Sequence, residues 1–373
     1  MDNRTKYVLQ LCHCYNMPFL DVARQYASLF KGSDYHLVTV YLTGVASDEV
    51  IQQTESDTVL FLENHSKDLK GLKRKQIKQI KQLCQQYNFE FAIGHRYKAI
   101  YTLCHLNNLP VIGVLHAFSV YDRFMRRFFT MRHQQNLLLL GVSNAIRDDI
   151  KKYLPKFPGQ QVQTLYNRIN ISQIQKNQLD GATARKKLGL PNDKYIFANV
   201  GRLHPDKDHH TLIKAYSIVA NTLPDSILVI IGKGRLEKEL QQLVKQLQLE
   251  EQVVFLGVIP NAVNYFRAFD SFVLSSDFEP FGMVLLEAAI AELPIIASNA
   301  GGAKEIIQDE QWLFDVGNED QLAKLMLEIY SLDDKQKQNI NEQNMTFLQQ
   351  NFTDEAARNT FWSLPMVSAF SNN

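Results

Sequence analysis

Two basic side chains flank a short loop that follows an apolar segment. The segment Ile196–Val200 has the pattern of a short buried strand, and Gly201, Arg202 and Lys207 come soon after it. In open α/β sheets, ligands bind at the carboxyl ends of the strands. An arginine offers a planar fork of donors and a lysine offers a point charge, so the pair predicts a diphosphate site. A solvated turn is the alternative for this motif taken alone.

Two carboxylates accompany the segment Glu279-Pro280-Phe281-Gly282. Glu279 lies on a loop after a predicted strand, Gly282 begins a predicted helix, and Glu287 lies more than one turn inside that helix. The N–H groups at such a helix start favour an anion. A carboxylate accepts hydrogen bonds from vicinal hydroxyls, so Glu287 suits a ribose and Glu279 suits a sugar ring. A glycosidase carboxylate pair is the alternative, but the residues around Glu287 are apolar.

Weaker signals come from three other places. Gly301-Gly302 follows a predicted strand and suits either a phosphate or only a tight turn. In the N-terminal half, His95 and Arg96 come after the predicted strand Phe91–Ile93, and His116 follows the predicted strand Val111–Leu115. These three side chains are predicted at the carboxyl edge of a sheet, and a core or capping histidine is the alternative for His116.

Two groups of residues have the composition of a metal site without its spacing. Cys12, His13 and Cys14 have no second pair of ligands at a fitting distance. Asp206 and Asp208 lie among three histidines that we expect at the surface or on loops: His204, His209 and His210. We therefore expect no metal at either place.

The elements that must position these residues alternate along the whole chain. Short apolar strands and helices repeat in two series, which predicts two α/β domains with doubly wound parallel sheets. The turn-rich segment Lys156–Gln161 marks the break between the series. We expect domains over residues 1–165 and 166–350, and a tail over residues 351–373 that returns toward the first domain. Helical pattern extends from Asp333 to Phe361 in this last part.

Composition excludes several classes of protein. The 373 residues are 45% hydrophobic and 21% charged, which argues against disorder and fibres. The apolar run Leu137–Val142 is far shorter than the ~18 residues of a membrane-spanning helix. Four cysteines do not make a disulfide framework. With no long apolar segment after Met1–Arg4, we expect no signal peptide and a cytoplasmic location.

Charge is distributed unequally along the chain. Residues 1–165 carry 21 Lys and Arg against 13 Asp and Glu, a net charge of +8, while residues 166–373 carry 19 against 26, a net charge of −7. Two basic stretches stand out in the first half, Lys67–Lys81 and Arg123–Arg132. The second interleaves arginines with Phe and Met, the composition of an interfacial helix. Contact of both stretches with the inner face of an anionic membrane, or with a lipid-linked acceptor, is one interpretation. The alternatives are a solvated helix face for the first stretch and a core helix with polar arginine tips for the second.

The three strand-to-helix junctions of the C-terminal half resemble, in order and spacing, the nucleotide-sugar-binding half of a retaining family 4 glycosyltransferase with the GT-B fold. The resemblance covers roughly residues 137–330. It depends on these residues: Gly201, Arg202 and Lys207; Phe255-Leu256-Gly257; Glu279-Pro280-Phe281-Gly282 to Glu287-Ala288; and Gly301-Gly302 with Glu305. It implies two Rossmann-like domains that face a central crevice.

The resemblance also implies roles for individual residues. Arg202 and Lys207 would bind the donor diphosphate, Glu287 the ribose, and Glu279 the transferred sugar. The remaining donor-binding positions would be Gly201, Gly257, Phe281, Gly282 and Met283, with backbone near Gly257–Pro260 at the base. His116, Arg202, Lys207 and Glu279 would be catalytic, and His95, Arg96 and His116 would bind the acceptor. One departure is the loop Cys14–Pro18, which has no glycine where family members often place a Gly-Gly turn under the diphosphate.

The expected activity is transfer of a sugar from a UDP-sugar or GDP-sugar to a glycan or lipid-linked acceptor, with retention and without a metal. The basic first half suits cell-surface polysaccharide or lipopolysaccharide synthesis, and nucleic acid is not an expected partner. Alternatives are a GT-B sugar-nucleotide epimerase, a phosphorylase, and a non-catalytic membrane-associated binding protein on the same scaffold.

Overall fold

The computed structural model describes residues 5–106 and 108–371 of the chain. These residues form two compact α/β units. The first consists of the described residues up to Arg168 together with those from Asp354 onward, and the second is Ile169–Thr353. The expectations for Met1–Arg4, for Asn107 and for Asn372-Asn373 lie outside the described residues.

The first unit contains a seven-stranded sheet in the order β3-β2-β1-β4-β5-β6-β7 with every neighbouring pair parallel. Its strands are β1 (Lys6–Cys12), β2 (Tyr35–Thr43), β3 (Thr58–Asn64), β4 (Phe89–His95), β5 (Val111–Leu115), β6 (Leu137–Gly141) and β7 (Val162–Thr164). The helices between them are α1 (Phe19–Ser28), α2 (Asp48–Thr54), α3 (Arg74–Gln86), α4 (Arg96–Leu103), α5 (Phe124–Arg132) and α6 (Asn144–Tyr153). All residues of β5 and β6 are buried, as expected for inner strands of a parallel sheet.

The second unit contains a six-stranded parallel sheet in the order β10-β9-β8-β11-β12-β13. Its strands are β8 (Tyr195–Val200), β9 (Ser226–Ile231), β10 (Val253–Gly257), β11 (Ser271–Leu274), β12 (Ile295–Ser298) and β13 (Leu313–Phe314). Its helices are α7 (Ile171–Asn177), α8 (Gly181–Leu188), α9 (His209–Thr222), α10 (Glu237–Gln246), α11 (Met283–Ile290), α12 (Glu319–Ser331) and α13 (Asp334–Asn351). The predicted fold class, two doubly wound parallel-sheet domains, is confirmed.

The C-terminal segment, which has helical pattern from Asp333 to Phe361, consists of three helices. Helix α13 ends before Phe352, and α14 (Asp354–Ser363) starts again after Thr353, followed by α15 (Ser368–Ser371). Within the first unit, the indole N–H of Trp362 donates to the Leu29 carbonyl at 3.0 Å. The almost fully buried Arg168 guanidinium pairs with Asp354 at 3.0 Å, which fixes the start of α14. Across residues 5–106 and 108–371, no helix combines the length and apolar character needed to cross a bilayer.

Candidate functional site

The second sheet changes direction between β8 and β11. From β8 the chain proceeds to β9 and β10 on one side, whereas β11, β12 and β13 follow on the other side. Such a switch point leaves a crevice at the carboxyl ends of the two strands where the connecting helices diverge. Lys207 follows β8 and Glu279 follows β11, so the topology places both predicted residues at this point.

Lys207 and Glu279 form an ion pair across the switch point. The Lys207 ammonium lies 2.6 Å from the Glu279 carboxylate, and both side chains are mostly buried. The same carboxylate oxygen accepts a hydrogen bond from the Ser276 hydroxyl at 3.1 Å. The Ser275 hydroxyl donates to the Lys207 carbonyl at 2.9 Å. These contacts hold an ammonium and a carboxylate at one fixed position, in an environment that strengthens their electrostatic effect.

Arg202 contrasts with Lys207 because its side chain is 74% exposed. Its guanidinium lies 3.5 Å from Asp206, which also contacts His204 closely. Such an exposed arginine can turn toward an anion at little cost in lost contacts. The two cations predicted for the diphosphate therefore differ: Lys207 is held in place and Arg202 is accessible.

The loop before α11 buries its aromatic side chain. Phe281 is buried and its ring lies edge-on to that of Phe352, with 5.5 Å between centroids. Gly282 has a φ of 104° and precedes the first residue of the helix, Met283. Glu287 is half-buried on a helix whose neighbouring residues are buried and apolar, as the sequence predicted.

The Gly301-Gly302 turn after β12 requires a glycine at position 302. Its N–H donates to the Glu279 carbonyl at 2.8 Å. A Cβ at this position would lie 2.6 Å from the Phe281 Cα, closer than real atoms approach. The turn is thus packed against the Glu279 loop and supports its backbone, which corresponds to the tight-turn interpretation.

Two glycines that sequence reasoning did not single out, Gly232 and Gly234, lie where the ends of β8, β9 and β10 meet. The Gly232 N–H donates to the Gly257 carbonyl at 2.7 Å, and the Gly201 N–H donates to the Ile231 carbonyl at 2.9 Å. A Cβ on Gly232 or on Gly234 would overlap the backbone of the loop after β8. The signal was a Gly-Lys-Gly sequence directly after a predicted strand, which indicates close backbone approach.

The expectation that His209 is a surface or loop residue was wrong. His209 is fully buried at the start of α9, and its Nε2 lies 3.1 Å from the Asn199 side-chain oxygen. The Asn199 amide in turn donates to Val273 on β11 at 2.8 Å. The reason is positional, because Asp208 caps α9 and the helix therefore turns its first residue toward the sheet. His209 thus links α9 to β8 and, through Asn199, to β11, the two strands at the switch point.

The protein should lose stability as the pH is lowered from about 6.5 to about 4, because the buried His209 resists protonation. Burial, then the nearby Lys207, lowers the pKa of His209 from 6.5 to about 4. Between these values the unfolded chain binds a proton that the folded chain does not, so stability present above pH 6.5 is lost toward pH 4, by at most about 3 kcal/mol. We expect a plot of Tm against pH to be flatter for His209→Gln than for the parent protein. Identical slopes would contradict a neutral buried His209.

In the first unit, the sheet changes direction between β1 and β4. His95 ends β4, is buried, and has its Nδ1 3.3 Å from the Nε2 of His116, which follows β5. The Tyr26 ring packs edge-on against His95 at 4.6 Å. Burial lowers the pKa of His95 well below its usual value and that of His116 to about 4, so both rings are neutral at neutral pH.

Arg96 and His13 complete this cluster at the switch point. Arg96 is exposed, begins α4 with a φ of 69°, and stacks on the Phe19 ring at 4.8 Å. His13 follows β1, and burial together with Lys98 and Arg96 lowers its pKa to about 4. Sequence reasoning considered His13 only as a metal ligand. In the described ranges, no three His, Cys, Asp or Glu side chains are grouped as metal ligands.

Helix α5 presents three apolar side chains to solvent and two of its arginines to the protein. Phe124, Met125 and Phe128 are 67%, 68% and 50% exposed. Arg126 and Arg127 are half-buried and donate to backbone carbonyls of Val120, Tyr121 and Asp122 at 2.8–3.2 Å. The core-helix alternative was therefore wrong, because these two arginines anchor a loop and Thr130 is the one fully buried residue of the helix.

Comparison with known proteins agrees with this arrangement. Residues 180–345 match the family described as Glycosyl transferases group 1. A Campylobacter jejuni relative, N-acetylgalactosamine-N,N'-diacetylbacillosaminyl-diphospho-undecaprenol 4-alpha-N-acetylgalactosaminyltransferase, is 30% identical over 230 residues. That match spans 60% of this chain and only 60% of the relative's own length.

Two solved structures share the fold over nearly the whole chain. A glycosyltransferase from Rickettsia africae superposes with a TM-score of 0.84 and 16% identity, covering 99% of this chain and all of that one. HepE of Anabaena, solved with UDP-glucose, superposes with a TM-score of 0.78 and 19% identity, covering 98% of this chain and all of that one. The chain therefore has the GT-B fold, and most of its second unit, residues 180–345, matches the glycosyl transferases group 1 family.

Proposed function

We propose that the protein is a retaining glycosyltransferase that moves a sugar from a nucleoside diphosphate sugar to a glycan or lipid-linked acceptor. The observation that carries this proposal is the Lys207–Glu279 ion pair at the β8/β11 switch point, beside the start of α11. Within a group 1 domain, this arrangement offers a fixed cation for a diphosphate and a carboxylate for sugar hydroxyls.

The donor is assigned to the C-terminal unit. Arg202 and Lys207 bind the diphosphate, with the N–H groups at the start of α11 as further donors. Glu287 holds the ribose hydroxyls, and Glu279 with the backbone of Phe281 and Gly282 holds the sugar. Gly201, Gly257 and Met283 line the remainder of the donor site. The complex of HepE with UDP-glucose supports a uridine nucleotide as the first donor to test.

The reaction proceeds through an oxocarbenium-like transition state. The bond from the anomeric carbon to the diphosphate oxygen breaks while the acceptor oxygen attacks the same face, which retains configuration. The acceptor proton passes to the leaving diphosphate. Lys207 and Arg202 stabilise the negative charge that develops on that group. No step in this sequence requires a metal, because the cationic side chains occupy the position of one.

The acceptor is assigned to the N-terminal unit, through His95, Arg96 and His116. A neutral His116 can accept or donate one hydrogen bond to an acceptor hydroxyl without competing for the charge on the diphosphate. The diphospho-undecaprenol named for the Campylobacter jejuni relative supports a lipid-linked acceptor. Synthesis of lipopolysaccharide or another cell-surface glycan is the corresponding cellular role, at the inner face of the membrane.

A thermal-shift panel with UDP, GDP, ADP, CDP and TDP tests the donor assignment. A ligand present at about 100 times its Kd stabilises a protein by about 2.7 kcal/mol, which is a shift of several degrees. We expect UDP to give the largest shift and Glu287→Ala to abolish it. The matched control is Glu251→Ala, an exposed carboxylate on the turn before β10. If no nucleotide shifts the parent protein, the donor site is refuted, and NMR of the products then distinguishes transfer from epimerisation.

The exposed face of α5 is proposed to contact an anionic membrane. Phe124, Met125 and Phe128 would enter the headgroup region, and the +8 charge of residues 1–165 supports attraction to anionic lipid. We expect Phe124→Ser/Phe128→Ser to weaken cosedimentation with phosphatidylglycerol vesicles by about tenfold or more, because two apolar side chains are lost. Ile51→Ser, an exposed apolar residue of α2, is the control. Equal binding by the parent and the double variant would exclude this face.

A further inference from the structure

Four cationic side chains of the first unit converge from three different segments. Two lie in the segment directly before α3, one lies in the first turn of α4, and one lies on α5. We call them the cationic cluster: Lys70, Lys73, Lys98 and Arg126. Because they are distant in sequence, their convergence is a property of the fold rather than of a single basic stretch.

Two aromatic rings of α4 hold two members of the cluster side by side. The Lys73 ammonium lies 4.5 Å from the centre of the Tyr101 ring, and the Arg126 guanidinium lies 4.7 Å from that of Tyr97. The two rings are 6.2 Å apart on successive turns of the helix. Each cation thus has an aromatic face on one side, which fixes its position without neutralising it.

The charges of the cluster are not compensated within the protein. Burial, then Lys98 and Arg126, lowers the pKa of Lys73; burial, then Arg96, Lys70 and Arg126, lowers that of Lys98. In the part of the chain that the structure describes, no member of the cluster forms a salt bridge. Asp68 lines the same open depression as Lys70 and Lys73, and its carboxylate, which accepts the His65 N–H at 3.0 Å, offsets at most one of the four positive charges. The fold therefore keeps mutually repelling cations together, which costs stability.

We propose that the cationic cluster binds a phosphate or diphosphate group carried by the acceptor. This inference rests on the proposed glycosyltransferase function and names the class of acceptor. A single carboxylate would offset one of the four charges, whereas a diphosphate offers several anionic oxygens to lysine point charges and an arginine fork. Lys70 is exposed, and the other three cations of the cluster are half-buried rather than buried, so those oxygens can reach them.

The position of Arg96 connects the cluster to the histidines assigned to the acceptor. Arg96 begins α4 directly after His95, whose Nδ1 lies 3.3 Å from the Nε2 of His116, and Lys98 lies in the first turn of the same helix. A phosphorylated acceptor bound at the cluster would therefore extend its sugar toward His116 along the start of α4. The same unit supplies both contacts.

Calorimetric titration of the 373-residue protein with inorganic pyrophosphate tests the proposal. We expect Lys73→Gln/Lys98→Gln to lose one binding event, with affinity reduced about tenfold or more. Lys78→Gln, an exposed lysine of α3 outside the cluster, should bind like the parent protein. The double variant should also keep or raise the Tm, because it removes repulsion, whereas loss of a structural contact would lower it.

Two further titrations separate the sources of phosphate and the two sites. Lys207→Gln should lose a different binding event; if it loses none, the donor assignment fails while the cluster stands. An unchanged pyrophosphate titration in Lys73→Gln/Lys98→Gln overturns the cluster proposal. It is also overturned if that variant loses only binding to phosphatidylglycerol vesicles. The lysines would then bind an anionic membrane surface rather than a single phosphate or diphosphate group.

Discussion

Replacing Lys207 with glutamine should lower kcat/KM for sugar transfer by about 100-fold or more. The ammonium is held 2.6 Å from Glu279 before any ligand binds, so it meets the developing charge on the diphosphate without reorganisation. Removal of one such preorganised donor typically costs this much transition-state stabilisation. Steady-state kinetics with the donor identified by the nucleotide panel measures the loss.

Loss of Lys207 also leaves a buried carboxylate without its cation, and this effect must be separated from the catalytic one. The unpaired Glu279 should destabilise the second unit by about 3 kcal/mol. In Lys207→Gln/Glu279→Gln no charge is left unpaired, so Tm should recover while kcat/KM does not. Lys214→Gln removes an exposed lysine paired with Glu319 on the same unit and serves as the control. Recovery of activity in the double variant would mean that neither side chain acts in catalysis, and that the loss in Lys207→Gln came only from the unpaired Glu279 carboxylate.

The C-terminal unit was largely predictable because its chemistry is encoded locally. Strand, loop and helix follow each other within a few residues at Arg202, Glu279 and Gly282, so their spacing alone places them at one sheet edge. What could not be predicted is which side chains meet across the sheet. The Lys207–Glu279 pair joins residues 72 positions apart, and the His209–Asn199 contact depends on how α9 is rotated.

The N-terminal unit was harder to predict for the same reason. Strand β3 is the edge strand of the sheet, and its residues are mostly half-buried although Val59–Leu62 are all apolar, so the sequence alone does not show how exposed this strand is. The cationic cluster could not be predicted from the sequence, because only the fold brings Lys73, Lys98 and Arg126 together. Composition suggested an amphipathic α5, but it did not reveal that the arginines face inward.

Replacing Gly232 with alanine should destabilise the second unit by more than about 3 kcal/mol, or lower its Tm by roughly 6–12 °C. Gly232 has a φ of 144°, a conformation that alanine rarely adopts. The new Cβ would overlap the Gly201 carbonyl oxygen and lie 2.9 Å from its carbon. Neither group can move, because the Gly201 N–H is bonded to Ile231 and the Gly232 N–H to Gly257. Thermal unfolding followed by circular dichroism measures the change.

Gly201→Ala is the matched control because the same loop accepts a methyl group there. A Cβ on Gly201 would meet nothing closer than 3.8 Å, the Lys207 side chain, and its φ lies outside the left-handed region. Its Tm should therefore equal that of the parent protein. The absence of any packing requirement for glycine at this position suggests that the space is kept for a ligand, so the same variant should bind a nucleoside diphosphate more weakly. Unchanged nucleotide affinity in a fully stable Gly201→Ala would place the diphosphate away from the end of β8 and contradict the donor assignment.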